Sequence, residues 1–368
     1  MKNNSLRLTW LEIDTKALQS NIKAVKNKLS EDTEIMAIVK ANAYGHGMNR
    51  VAKEVLSAGV KHLAVATVSE GVKLRKAGIK APILILGTVF KRQLATIIEY
   101  ELIPNIYNYQ MAKKLNSYGQ EIEIHVKVDT GMGRIGILAE QAVAEIKKIA
   151  ALENINLTGL FSHFAAADEN DEYTMQQLEK FKTIINQLKA ENIKIKNYHI
   201  ANSAAIINYP ASYFDLVRMG IILYGLYPNS ELKDELSLEP VLSWKARIVN
   251  LKEVSAGTSI SYGCTYTTDK ATKIATLPVG YHDGYFRALS NQGRVICYGK
   301  KVPIVGRVCM DQFMIDVTGL KAKKGDVVTL LGQEGDVIIT ATDLAKKVGT
   351  INYEIVSRIG RRVPRIYL

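Results

Sequence analysis

The chain has 368 residues, which is enough for one large domain and a smaller one. Hydrophobic residues make up 47% of it and charged residues 23%, a balance that is typical of folded globular proteins and excludes a disordered or fibrous chain. The net charge of +12 comes mostly from lysines scattered along predicted helix surfaces, so a solvated surface is favoured over a nucleic-acid interface.

The N-terminal segment and the cysteines indicate the cellular setting. The segment MKNNSLRLTWLEID lacks the apolar run of a secretory signal. The longest apolar stretches fall far short of the ~20 residues of a membrane span. Cys264, Cys297 and Cys309 show no CxxC spacing, which predicts reduced thiols and no zinc or other metal site. We therefore expect a cytoplasmic protein that neither crosses a membrane nor binds nucleic acid.

The first two thirds of the chain alternate between predicted strands and helices. Short apolar, β-branched runs occupy residues 35–39, 62–66, 82–86, 102–106, 122–128, 157–161, 197–201 and 214–218. The helical pattern is clearest in 174–193, where apolar residues recur at three- and four-residue spacing at Met175, Leu178, Phe181, Ile184 and Leu188. Alternating strands and helices predict a parallel sheet, and eight units within roughly 240 residues favour a (β/α)8 barrel of the TIM type over an open sheet.

After about Pro240 the helical pattern nearly disappears. Closely spaced strand-like runs separated by glycine-containing turns follow, with one late helix in ATDLAKKVG. We predict a barrel over residues 12–238 and a second, mainly antiparallel β domain over 239–368. An N-terminal strand within 1–11 is expected to pack with the second domain.

The string VKANAYGHG carries the strongest chemical signal. Lys40 directly follows an apolar strand and precedes a polar, glycine-containing turn. In a parallel barrel the carboxyl ends of the strands form the face where active sites are assembled. A lysine at that face can be desolvated enough to act as a neutral amine, although on this feature alone a lysine after a strand is more often a solvated loop charge.

Other polar residues fall at or just past the ends of predicted barrel strands. They are Lys127 with Arg134, His163, Asn202 with Ser203, and Arg218. Separately, His163 could be a core imidazole, Ser203 a helix N-cap and Arg218 a surface ion-pair partner. Their convergence on one rim favours a site.

Eight further motifs follow VKANAYGHG in the chain. They are KVDTGMGRIG from Lys127, FSHFAAADE from Phe161, HIANSAA from His199, VRMGIILYG from Val217, ISYGCTY around Tyr262, LPVGYHDGY around Tyr281, VGRVCMDQ from Val305 and INYE around Tyr353. Together they closely resemble the motifs of the alanine racemase family, and the resemblance extends through nearly the whole chain.

The resemblance implies a homodimeric enzyme that uses pyridoxal 5'-phosphate to interconvert L- and D-alanine and supplies D-alanine for peptidoglycan. It makes Lys40 the residue that carries the cofactor and one of two catalytic bases. It makes Tyr262 the second base, delivered across the dimer interface. Two bases are needed because a single base would return the proton to the face of Cα that it left. From its strand pattern alone, a packed strand aromatic is the favoured interpretation of Tyr262.

The family's cofactor and substrate contacts map onto residues of this chain. The resemblance assigns the cofactor phosphate to Tyr44, Ser203 beside Asn202, Gly220, Ile221 and Tyr353. It places Arg218 at the pyridine nitrogen, with His163 behind it. It assigns the substrate to Arg134, Tyr281 and Met310, and it implies that a carbamylated Lys127 orients Arg134.

Two departures from the family pattern leave alternatives open. His282 stands beside Tyr281 where the family usually has a small residue, and Met219 follows Arg218 where proline is common. A racemase of broader specificity, for example toward serine, therefore stays possible. So does a non-catalytic barrel that binds pyridoxal phosphate, although such barrels are typically single domains and lack a counterpart of Tyr262.

Overall fold

The computed structural model describes residues 7–368, which form two compact units. The barrel unit comprises Leu18–Ala43 and Met48–Glu239. The C-terminal unit comprises Pro240–Leu368, Tyr44–Gly47 and the described residues up to Ala17. The chain opens with strand β1 (Thr9–Ile13) in the C-terminal unit, while residues 1–6 of the predicted N-terminal strand lie outside the described residues.

The barrel unit is built on a parallel sheet of eight strands with one short addition. The strands are β2 (Glu34–Ile38), β3 (His62–Val65), β4 (Ile83–Ile85), β5 (Ile103–Ile106), β6 (Ile122–Asp129), the short β7 (Ile137–Leu138), β8 (Ile155–Phe161), β9 (Asn197–His199) and β10 (Leu216–Met219). They are ordered β10-β2-β3-β4-β5-β6-β8-β9, with β7 beside β6. The Arg218 N–H donates to the Ala201 carbonyl just past β9 at 3.0 Å, so the sheet nearly closes. This confirms the predicted (β/α)8 barrel.

Helices connect the barrel strands. They are α1 (Thr15–Lys26), the left-handed turn α2 (Lys40–Tyr44), α3 (Met48–Ser57), α4 (Val68–Lys76), α5 (Leu94–Glu99), α6 (Tyr109–Asn116), α7 (Ala139–Ala150), α8 (Asp171–Ala190) and α9 (Ser203–Asn208). The strands are buried on both faces, as the continuous apolar runs predicted. All residues of β4, β5 and β10, for example, are buried.

In helix α8 the buried face matches the predicted apolar spacing in the later turns but not in the first turns. Asn170 caps the helix by accepting from the Tyr173 N–H at 2.9 Å, and the later turns bury apolar side chains as predicted. In the first turns, however, Thr174 and Gln177 are buried, and Met175 is 40% exposed. Gln177 faces inward because its side chain accepts from the Ala165 N–H at 2.9 Å. Met175 is thus not part of the core.

The C-terminal unit is mainly antiparallel, as predicted. Its further strands are β11 (Leu242–Arg247), β12 (Asn250–Val254), β13 (Ser259–Ile260), β14 (Tyr266–Thr267), β15 (Thr272–Leu277), β16 (Arg294–Cys297), β17 (Lys300–Val305), β18 (Phe313–Asp316), β19 (Val327–Glu334), β20 (Val337–Ile339) and β21 (Arg365–Tyr367). The main sheet runs β12-β15-β18-β17-β16-β19-β11-β1-β21, with β20 on β19, and β13 and β14 form a separate ribbon. Strand β1 pairs antiparallel with β11 and parallel with β21.

Two helices interrupt this sheet where one was predicted. Helix α10 (Ala341–Val348) is the expected one, begun by a capping box between Thr340 and Asp343 and ended by left-handed Gly349. Helix α11 (Asn352–Ser357) was missed because it spans only six residues, too few to show a helical period. Among the described residues, no helix combines the length and apolarity of a membrane span.

Candidate active site

The predicted site residues of the barrel unit lie at the carboxyl ends of five strands. Lys40 follows β2, Lys127 is near the end of β6, His163 follows β8, and Arg218 is in β10. Asn202 and Ser203 follow β9, Gly220 and Ile221 follow β10, and Arg134 is in the loop after β6. We call this set the rim cluster. Its residues come from distant parts of the sequence and share one edge of the sheet.

Lys40 opens a left-handed turn that is unusual for residues with side chains. Ala41, Asn42, Ala43 and Tyr44 have φ between 50 and 56°, a region that costs about 1–2 kcal/mol for each residue. The Glu70 carboxylate holds the beginning of this turn. It accepts from the Ala41 N–H at 2.7 Å and, with its other oxygen, from the Ala66 N–H at 2.9 Å.

We expect the Glu70→Ala protein to lose about 1–3 kcal/mol of unfolding free energy. The substitution removes the charged acceptor of the Ala41 and Ala66 N–H groups, so the left-handed turn after Lys40 loses the hydrogen bonds that hold it. Urea unfolding measures the change, with the exposed Glu99→Ala as the matched control. Equal losses in the two variants would show that Glu70 does not support the turn.

Positive charge concentrates at the rim cluster. Burial, together with the charge of Arg134, lowers the pKa of Lys40, although Glu70 opposes the shift. Burial and the charges of Arg218 and Arg134 lower the pKa of Lys127 to about 7. The shift favours the neutral form of Lys40, and it gives Lys127 a substantial neutral fraction near neutral pH. Such a cluster also attracts anionic groups.

Arg218 is buried, with a side chain fixed by five hydrogen bonds. Its Nη2 donates to the Ser162 and Ile200 carbonyls at 2.8 and 2.9 Å and to His163 Nδ1 at 2.9 Å. Its Nη1 donates to the carbonyl and Nδ1 of His199 at 3.1 and 2.8 Å. Burial and Arg134 lower the pKa of Arg218 to about 9, so the guanidinium stays charged at neutral pH.

Two backbone segments at the rim are tied together by Ser203. Its Oγ accepts from the Gly220 N–H at 3.0 Å. Asn202, and not Ser203, is the N-cap of α9, and its Oδ1 accepts from the Ala205 N–H at 3.1 Å. Ile221 opens a 3-10 turn directly after Gly220. The turns of Ser203 and of Gly220 with Ile221 thus lie side by side, and the Ser203 hydroxyl proton remains a donor that suits an anion.

The loop that carries Arg134 is organised by Asp129. Its Oδ1 accepts from the N–H groups of Gly131 at 2.9 Å, Met132 at 2.8 Å and Gly133 at 3.1 Å. Burial opposes ionisation of Asp129, but these N–H groups outweigh it and lower the pKa of its carboxyl. Arg134 itself is exposed.

The remaining predicted site residues belong to the C-terminal unit. Tyr262, Tyr281 and Met310 are exposed, by 72%, 42% and 51%. The Tyr281 N–H donates to the Cys309 carbonyl at 3.0 Å, which brings the segments of Tyr281 and Met310 side by side. Ser261, the residue before Tyr262, donates its hydroxyl to the Arg307 carbonyl at 2.7 Å.

Tyr44 and Tyr353 also come together in the C-terminal unit. Their ring centroids are 6.2 Å apart. Tyr44 is buried, and burial raises the pKa of its phenol. His282 is exposed and Met219 is buried in β10, so the two departures from the family pattern occupy different environments.

Sequence reasoning missed several residues of the rim. The sequence around Glu70 indicates a capping box with Thr67, and the structure contains it. The other carboxylate oxygen of Glu70 accepts from the Ala41 N–H in the turn after Lys40, which the sequence did not indicate. His199 and His125 received no individual role from the sequence, whereas their ring nitrogens lie 3.0 Å apart and His199 Nδ1 accepts from Arg218. The one available signal was the position of His199 inside the predicted strand 197–201, two residues before its end.

Both units correspond to known protein domains. Residues 13–228 match the family described as "Alanine racemase, N-terminal domain", and residues 241–367 match "Alanine racemase, C-terminal domain". The chain therefore belongs to the alanine racemase family and is an isomerase.

Individual relatives agree. The chain is 51% identical to the alanine racemase of Halothermothrix orenii over 100% of its own length and 98% of the relative's. The solved alanine racemase of Clostridium difficile 630 is 41% identical, with a TM-score of 0.95 over 99% of this chain and 96% of that one. A solved histidine racemase of Leuconostoc mesenteroides is 30% identical, with a TM-score of 0.91 over the whole of both chains.

Proposed function

We propose that the protein interconverts L- and D-alanine with pyridoxal 5'-phosphate bound at the rim cluster. The observation that carries the proposal is the placement of Lys40, an amine whose pKa is lowered by burial, beside Lys127, Arg134 and Arg218. A neutral amine can bind a carbonyl carbon covalently and can accept a proton. The surrounding cations suit a phosphate and a carboxylate.

The residues present fit the cofactor. The Ser203 hydroxyl and the turn of Gly220 and Ile221, joined by the hydrogen bond from the Gly220 N–H to Ser203 Oγ, would hold its phosphate, as the family resemblance implies. Asn202 supports this set by capping α9. By family resemblance, the phenols of Tyr44 and Tyr353 complete the phosphate contacts. When bound, pyridoxal phosphate makes the Cα–H of an attached amino acid acidic enough to be removed.

We propose that Arg218 faces the pyridine nitrogen through its Nε. All five hydrogen bonds of its guanidinium leave from Nη1 and Nη2, so the Nε–H points away from these partners. Because a guanidinium retains its protons, it donates a hydrogen bond without protonating the acceptor. Arg218 would thereby disfavour protonation at the wrong carbon, with His163 fixing the plane of its side chain.

Lys40 and Tyr262 are proposed as the two bases. Lys40 Nζ would take or return the proton on one face of Cα, and the Tyr262 phenol on the other. By family resemblance the phenol comes from the second subunit of a homodimer, and the 72% exposure of Tyr262 leaves it free to reach a partner. Two positioned bases allow either enantiomer to be the substrate.

The substrate carboxylate is proposed to bind Arg134. Tyr281 and Met310 would line the approach to it, on the same family grounds. Lys127 is the proposed carbamate: its neutral amine would attack CO2, and loss of one proton would leave an N-carboxylate able to pair with Arg134. The pKa of about 7 makes the required neutral amine available near neutral pH.

We expect ¹³CO2 to label Lys127 and the labelling to increase as the pH rises through about 7. The sign follows from the lowered pKa: below it the amine is protonated and cannot attack CO2, and above it the neutral amine predominates. Carbon NMR of the protein in labelled bicarbonate should show a carbamate signal that disappears in Lys127→Met and persists in Lys53→Met, an exposed helix position. A signal that Lys127→Met retains would place the carbamate elsewhere.

The biological setting follows the resemblance. We propose residues 12–238 as the domain that binds the cofactor and 239–368, with the N-terminal strand, as the domain that delivers Tyr262. We further propose a cytoplasmic enzyme that supplies D-alanine for peptidoglycan.

A second candidate is racemisation of a different amino acid, because the histidine racemase of Leuconostoc mesenteroides shares this architecture. One added group on a side chain changes binding by only about 1–3 kcal/mol in an apolar pocket, so few residues decide the substrate. Chiral chromatography of the products from L-alanine, L-serine and L-histidine tests the assignment. We expect alanine to have the largest kcat/KM; a larger value for serine or histidine would replace it as the substrate.

A further inference from the structure

The acceptors around Arg218 contain no carboxylate within the part of the chain that the structure describes. Three are backbone carbonyls, and two are the Nδ1 atoms of His163 and His199. A buried guanidinium is usually compensated by an anion. Here every partner is neutral if both imidazoles are neutral.

The hydrogen bonds determine where the imidazole protons lie. Arginine has donors only, so Nδ1 of His199 must accept and carries no proton. The proton of His199 is then on Nε2, which lies 3.0 Å from His125 Nδ1 and donates to it. His125 in turn carries its proton on Nε2. Both rings are buried, and burial next to Arg218 holds the pKa of His199 far below its usual range and that of His125 at about 3.

Two residues of the strand between His125 and His199 allow the two rings to meet. His125 is on β6 and His199 on β9, with β8 between them. The His125 ring crosses β8 at Gly159, its partner in register, where a Cβ would lie 2.4 Å from the ring. Phe161, two residues further along β8, stacks on the His199 ring with centroids 4.8 Å apart and planes 5° apart. Gly159 thus leaves space for the His125 ring, and Phe161 holds the His199 ring by stacking.

We infer that His199 and His125 are positioning residues that orient Arg218 through a relay of uncharged rings. The neutral Nδ1 of His199 fixes the direction of the Nη1 hydrogen bond. A carboxylate in its place would attract the guanidinium away from the ligand. The full charge and the Nε–H then remain available to the ligand. The functional part of this inference rests on the proposed function, in which that ligand is the pyridine nitrogen of the cofactor.

The tautomers can be tested in the cofactor-free protein. Nitrogen NMR of histidine-labelled apoprotein is expected to show protonated Nε2 and unprotonated Nδ1 for His199 and His125, assigned with His199→Asn and His125→Asn. Loss of His125 should shift the Nε2 resonance of His199. A proton on Nδ1 of His199, or a charged ring at neutral pH, would overturn the inference regardless of activity.

The role of the relay is tested by the ratio of pyruvate to D-alanine formed by the loaded enzyme. Pyruvate forms when the amino group is transferred to the cofactor, alanine and pyridoxal phosphate giving pyruvate and pyridoxamine phosphate. We expect His199→Ala to raise the ratio roughly tenfold, the worth of one hydrogen bond to a charged group. His199→Asn retains an acceptor for Nη1 and should recover most of the loss. His125→Phe should raise the ratio by less than His199→Ala.

The control is Lys53→Gln, which alters an exposed residue of α3. It should leave the ratio unchanged. If the unaltered enzyme forms no D-alanine, the proposed function fails. If it does, and the ratio is the same in the unaltered enzyme, His199→Ala and His125→Phe, the relay inference fails while the proposed function stands.

Discussion

Replacing Lys40 by alanine is expected to lower the racemisation rate by at least ~10⁴-fold, because the change removes both the attachment point of the cofactor and one base. Stability should not suffer: Lys40 is a partly desolvated cation close to other cations, and its loss relieves repulsion. The initial rates of D-alanine formation from L-alanine and of the reverse reaction measure the effect.

Two comparisons make the Lys40→Ala result specific. Lys53→Ala, on the exposed side of α3, should keep the rate within about twofold of the unaltered enzyme, as surface substitutions generally do. Added methylamine, a small primary amine that resembles the lost side-chain amine, should restore part of the lost activity in Lys40→Ala and none in a variant damaged elsewhere. More than a tenth of the original rate in Lys40→Ala without added amine would remove Lys40 from the mechanism.

The second large effect concerns Tyr262. Tyr262→Phe keeps the aromatic ring and removes the phenol, so racemisation should fall by about 10²- to 10⁴-fold, the usual contribution of a positioned acid–base group. Exchange of the Cα proton with deuterated water should continue, with retention of configuration, from the one enantiomer whose proton Lys40 removes. Proton NMR on each enantiomer separately measures this asymmetry.

Tyr118→Phe, another exposed tyrosine, is the matched control and should racemise normally. If Tyr262→Phe racemises both enantiomers at the original rate, Tyr262 is not the second base. If it loses exchange from both enantiomers equally, the phenol has a role other than action on one face of Cα.

The barrel was predictable because its strands are buried on both faces and therefore appear as continuous apolar runs. The rim residues of these strands were predictable for a related reason, since each follows or ends such a run. Met175 shares the apolar spacing of α8 but is exposed, because the inward face of the helix is polar where Gln177 reaches Ala165. That hydrogen bond depends on a neighbouring loop and produces no periodic pattern in the sequence of the helix.

The contacts that the sequence did not predict are mainly polar contacts between residues far apart in the chain. The hydrogen bond between Glu70 and Ala41 joins residues far apart in the sequence, and its local pattern is fully explained by a helix cap. The pairing of His125 with His199 requires Gly159 between them, and a glycine inside a strand does not indicate which ring crosses it. Such contacts depend on the register of neighbouring strands, which became known only with the fold.

The central claim is that this enzyme moves the Cα proton of alanine between two faces. Proton NMR of L-alanine with the cofactor-loaded protein in deuterated water, followed by chiral analysis, tests it most directly. We predict loss of the Cα proton signal together with formation of D-alanine. Exchange with only L-alanine recovered would contradict the two-base mechanism, and no exchange at all would contradict alanine as the substrate.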